Sequence, residues 1–158
     1  DALFTPNESG FAPIETPQNW RNPETMFSLM EQETPLEMPA LQQTTQAGHS
    51  VLEIALRCAP VGLLIPALNK RGIYLGKAAL LDENGQANDC LNAIAKRGGV
   101  GTLFLPENWK TCRNTGDVTA VHLALDKTYR MQAPNLHSLK LEISRTIRRE
   151  NKQPGLGA

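Results

Sequence analysis

The sequence predicts an α+β protein: a small mixed or antiparallel sheet with two to four helices, preceded by an extended, proline-punctuated N-terminal arm with one short helix. Three observations predict it. Six of the eleven prolines lie in the first 47 residues, apolar residues recur at helical spacing in three later stretches, and apolar runs or alternation of strand type lie between those stretches. The expected organisation is an acidic arm over 1–47, a basic folded domain over 48–152 and a C-terminal tail over 153–158.

The arm comes first. Pro6, Pro13, Pro17, Pro23, Pro35 and Pro39 remove backbone donors and forbid long helices, so most of it is expected to be extended or polyproline-like. One helix is the exception, from about residue 23 to 33, with Asn22 as its cap, Pro23 in its first position and an apolar face of Met26, Phe27, Leu29 and Met30. It is expected to stop before Thr34-Pro35.

Beyond residue 48 the start and stop signals are sharper. Ser50 and Glu53 form a capping box leading into Ile54, Ala55, Leu56 and Cys58, and Pro60 ends that helix. Val61 to Ile65 fits either helix or strand, after which Pro66 opens a helical turn closed by Gly72. Ile73 to Leu81 reads as a strand ended by the turn Asp82-Glu83-Asn84-Gly85. A helix from about Ala87 to Arg97 buries Cys90, Leu91 and Ile94, with Gly98 as its left-handed cap. Val100 to Leu105 reads as a second strand, and Pro106 to Asp117 as a loop. Val121, Leu123 and Leu125 alternate within a third strand, Val118 to Asp126, for which Lys127 to Gln132 is the expected hairpin partner. The last element is an amphipathic helix from about Leu136 to Asn151, capped by Asn135 after Pro134. Its stripe of Leu136, Leu139, Ile143 and Ile147 opposes Arg145, Arg148, Arg149 and Lys152, and only Leu141 is misplaced.

Charge divides the chain where the pattern does. Residues 1–47 carry seven acids against the single base Arg21, a net charge of about −6, and the remainder carries nine acids against fifteen Lys and Arg, about +6. Complementary charges make the arm a candidate to meet the basic domain, a second copy or another protein. Trp20, Met26, Phe27, Leu29 and Met30 are the expected protein-binding anchors, with the extended stretch Thr34 to Pro39 beside them.

Several classes find no support in the residues. The most apolar stretch, Val51 to Leu68, is broken by Glu53, Arg57, Pro60 and Pro66, so no membrane span is expected. Asp1 follows no charged-then-apolar leader, the start expected of a trimmed chain. Cys58, Cys90 and Cys112, an odd number at wide spacing, argue against a disulfide framework and favour a reducing, cytoplasmic setting. With His49, His122 and His137 they offer no paired zinc ligands, and neither metal nor cofactor is expected. Cys58 and Cys90 read as core thiols, and Cys112 as a loop thiol that Lys110 and Arg113 would activate. Gly98-Gly99-Val100-Gly101 follows a helix instead of opening one, the reverse of a phosphate-binding loop. Arg113-Asn114-Thr115-Gly116-Asp117 is ordinary turn chemistry, with an anion held through Arg113 as the alternative. No nucleophile elbow or paired-carboxylate spacing is present, and no catalytic residue is assigned.

The expected function is therefore a non-catalytic protein–protein interaction module, a domain of a larger protein or assembly, engaging a partner or a second copy through the arm. The alternative is a nucleic-acid-binding accessory domain whose basic patch comprises Lys110, Arg113, Arg145, Arg148, Arg149 and Lys152, with the acidic arm as an intramolecular competitor.

Overall fold

Caps decide where this chain turns. The computed structural model describes residues 16–31, 38–44, 48–131 and 135–151, and they form two compact units that divide between Ile73 and Tyr74.

The first unit holds five helices among the described residues: α1 (Pro17–Arg21), α2 (Pro23–Met30), α3 (Met38–Leu41), α4 (Val51–Cys58) and α5 (Val61–Lys70). Asn22 starts α2 as expected, its side-chain oxygen accepting from the amides of Glu24 and Thr25 at 2.9 and 3.2 Å, with Pro23 in the first turn. Ser50 starts α4 the same way, its Oγ accepting from the Glu53 amide at 3.1 Å. Helix α4 ends at Ala59-Pro60, and Pro60 is itself the residue before α5. The core is Trp20, Met26, Leu41, Leu52, Leu56, Leu64, Ile65 and Leu68, all essentially solvent-free, and α1 packs on both α2 and α4.

The second unit is also helical: α6 (Lys77–Leu80), α7 (Asp89–Lys96), α8 (Val100–Leu103), a 3₁₀ turn (Pro106–Trp109), α9 (Thr115–Tyr129) and α10 (Leu136–Asn151). Asn88 caps α7 through the amides of Cys90 and Leu91 and donates to the Ala79 carbonyl at 2.8 Å, which fastens α7 to α6. Tyr129 at the end of α9 donates to Asn92 on α7 at 2.6 Å. Helix α10 packs on α9 and on the 3₁₀ turn through Leu139 and Ile143.

The α+β expectation is overturned: the described residues contain no strand, only two isolated bridges that close short loops, Thr44 with Ser50 and Leu81 with Ala87. Each misread segment has a helical burial period. In Val100 to Leu105 the buried residues are Val100, Leu103 and Phe104, whereas Leu105 is exposed. From Val118 to Asp126 they are Val118, Val121, Ala124 and Leu125, and Leu123, the centre of the supposed alternation, is 59% exposed. Lys127 to Tyr129 continue α9 and are no hairpin partner; Gln132 lies outside the described residues. Ile73 to Gly76 has no regular secondary structure, and Lys77 to Leu80 is helical.

The arm is corrected as well. Its described residues form three helices, where one was expected amid extended chain. Pro17, Pro23 and Pro39 all sit in first turns, where a missing amide costs nothing. Helix α2 stops at Met30 with Glu31 after it, and of the expected extended stretch Thr34 to Pro39 only Met38-Pro39 lies within the described residues, where it is helical. The undecided run Val61 to Ile65 belongs to α5, which continues through Pro66 because Val61, Leu64, Ile65 and Leu68 bury one continuous stripe.

Helices α5 and α7 end alike. Each closes on Lys-Arg-Gly, with Gly72 at φ +80° and Gly98 at φ +73°. In each the residue after the glycine donates back to a carbonyl five residues earlier, Ile73 to Leu68 and Gly99 to Ile94, both at 2.9 Å. This left-handed closure satisfies terminal carbonyls that would otherwise be unpaired.

Candidate interaction surface

Most of the expected protein-binding anchors are core. Trp20 and Met26 are fully buried in the first unit and Leu29 and Met30 nearly so; Phe27 alone of the five reaches solvent, at 36%. Their apolar area is already covered by the chain itself. Arg71 secures this packing by donating from Nε to the Met30 carbonyl at 2.8 Å.

The cations of the expected nucleic-acid patch separate into two groups. Lys110 is held by Glu107 at 2.9 Å and lies 5.5 Å from the centre of the Tyr74 ring; the bond to Glu107, then that to Tyr74, pushes its pKa up. Arg113 pairs with Glu150 at 3.1 Å. Arg145, Arg148 and Arg149 are exposed, and none of them is paired with a carboxylate among the described residues. Lys152 and the tail over 153–158 lie outside the described residues.

Geometry explains why these three arginines stand together. At about 100° per residue, Leu139 and Ile143 point one way and are buried, while Leu141, Arg145, Arg148 and Arg149 share an opposite arc of about 100°. Leu141 is 44% exposed at the N-terminal end of this arc, one turn before Arg145. The residue that did not fit the expected stripe is thus a part of the exposed face. Along the other flank, α10 and the Pro106–Cys112 segment line a shallow groove floored by Trp109, Leu139 and Ile143, with Glu107, Lys110 and Glu142 at its rim.

Cys112, also on that groove, is not activated in the way its cationic neighbours suggest. Lys110 and Arg113 are engaged by Glu107 and Glu150, and burial pushes the thiol up, opposed by the Asn114 backbone and aided to a lesser degree by Asp117. A less acidic thiol is a poorer nucleophile at neutral pH.

Sequence reasoning missed two polar centres. Glu53 has a side chain only 5% exposed, with His49 Nδ1 at 2.8 Å and Arg57 at 3.0 Å from the same carboxylate oxygen. These are ion-pair distances, although neither N–H is aligned on that oxygen as a hydrogen bond. The signal was the His-to-Glu-to-Arg spacing of four residues, which stacks the three on one helical face. The second is Asn108, whose side chain accepts from the Leu75 amide at 2.9 Å and donates to the Leu75 carbonyl at 2.8 Å. No local pattern announces a contact 33 residues away.

Among the described residues no three His, Cys, Asp or Glu side chains gather as a metal site, and no helix is long and apolar enough to cross a membrane. Compared with protein-family models, curated proteins and solved structures, the chain matches none of them.

Proposed function

We propose that this chain is a non-catalytic protein-interaction module that docks through the exposed face of α10. The observation that carries the reading is the exposed arc of Leu141, Arg145, Arg148 and Arg149, which mixes an exposed apolar side chain with three guanidinium groups that pair with no carboxylate among the described residues. Interfaces favour arginine because its stem covers apolar surface while its planar head makes directed bonds.

Nucleic-acid binding remains the alternative use of the same cations, and two observations weigh against it. Lys110 and Arg113 spend their charge on Glu107 and Glu150, which removes two of the six cations of the expected patch. Phosphate binding also gives Leu141 nothing apolar to meet.

Affinity capture with the intact chain as bait tests the proposal. The expected result is a discrete partner protein that binds the purified chain saturably and is lost with Leu141→Asp or with Arg145→Ala, Arg148→Ala and Arg149→Ala combined. Partner binding indifferent to those substitutions sinks the reading.

A further inference from the structure

We infer that the α10 face takes an acidic peptide segment of a partner protein, one that places an apolar side chain next to paired carboxylates. This rests on the proposed docking role of α10 and specifies its ligand chemistry.

Order along the helix carries the argument. Leu141 lies one turn before Arg145, and Arg149 one turn beyond, so the face runs from apolar to cationic over about 12 Å at about 1.5 Å per residue. Arg145, Arg148 and Arg149 occupy two successive turns, close enough for adjacent carboxylates to bridge them. A carboxylate matches the guanidinium fork with two parallel bonds, and exposed arginines that pair with no carboxylate among the described residues are open to making them. Leu141 then has a function that charge alone does not provide: an apolar side chain of the partner covers it and sets the register.

The surroundings limit the alternatives. Glu142 is exposed at the edge of the arc, so negative charge bounds the positive stretch on that side, whereas Glu150 falls on the opposite side of the helix and is paired to Arg113. A long polyanion laid along α10 meets the Glu142 carboxylate, whereas a segment with two or three acids fits beside it. The helix also carries no Phe, Tyr or Trp on which an unpaired base would stack.

Fluorescence anisotropy with the intact chain tests this. The probes are a short labelled peptide in which leucines alternate with paired glutamates, its glutamine counterpart, and a labelled DNA duplex. The acidic peptide is expected to bind saturably, with affinity reduced at least about tenfold by the triple arginine-to-alanine variant and by Leu141→Asp. All four positions are exposed, so far-ultraviolet circular dichroism of the variants should match that of the unsubstituted chain. The glutamine peptide, measured on the unsubstituted chain, should bind roughly tenfold more weakly, an outcome independent of how any variant folds. Equal binding of the two peptides, tighter binding of the duplex with a steep salt dependence, or absence of saturable peptide binding each overturns the inference. If a captured partner still needs α10 while the acidic peptide fails, the ligand chemistry falls and the docking role stands.

Discussion

Asn108 shows how much one side chain can hold where the described residues form no sheet. Leu75 is fully buried, and its amide and carbonyl find their partners on the Asn108 carboxamide, which also donates to the Leu103 carbonyl at 3.3 Å. Asn108→Ala leaves both Leu75 groups buried and unpaired, with an expected loss of about 3 kcal/mol in urea unfolding. Leu at the same position is expected to be no milder, since it too supplies no polar partner. Cys112 makes a second prediction at this scale. Because burial raises its pKa, iodoacetamide should label it more slowly at neutral pH than an unhindered thiol and gain rate only as the solution becomes alkaline. The folded chain holds that proton more tightly than the unfolded chain does. The associated stability is therefore complete below the unfolded thiol pKa and falls as pH climbs toward the folded value.

Among the elements, capping made helix ends readable and periodicity made helix faces readable only when the window was long. Asn22, Ser50 and Gly98 announced their termini, and Leu139 and Ile143 announced the buried side of α10, because each acts through neighbours within a turn. Segments α6, α8 and α9 were misread because a four-residue helix offers no full period, and because Val121, Leu123 and Leu125 mimic alternation until Val118 and Ala124 are weighed with them. The docking face was half legible: its arginines stood out, but the part of Leu141 appeared only once the helix was placed. The paired glycine closures give this scale its prediction. No heavy atom crowds a Cβ at Gly72 or Gly98, so Gly72→Ala and Gly98→Ala suffer only the left-handed backbone. Each should cost about 1 kcal/mol in thermal or urea unfolding without changing helix content.

For the whole molecule, charge and packing are partitioned differently. The sign of charge changes near residue 47, whereas the compact units part after Ile73, so helices from the acidic and the basic side of the sequence share the first core. Opposite charge is thus not what covers Trp20 and Met26; packing of α1 and α2 in that core does so. The formal net charge of zero at pH 7 removes long-range repulsion between copies. Solubility, followed by turbidity across a pH series at low salt, should have its minimum near neutrality and rise on either side. The carboxamide clasp on Leu75 has a further consequence for following this fold in solution. A buried amide sequestered by a side chain can trade its proton for deuterium only when Asn108 lets go. Slow exchange at that single position would therefore act as an internal clock for opening of the second unit, readable by mass spectrometry even while the surrounding loop peptides label within seconds.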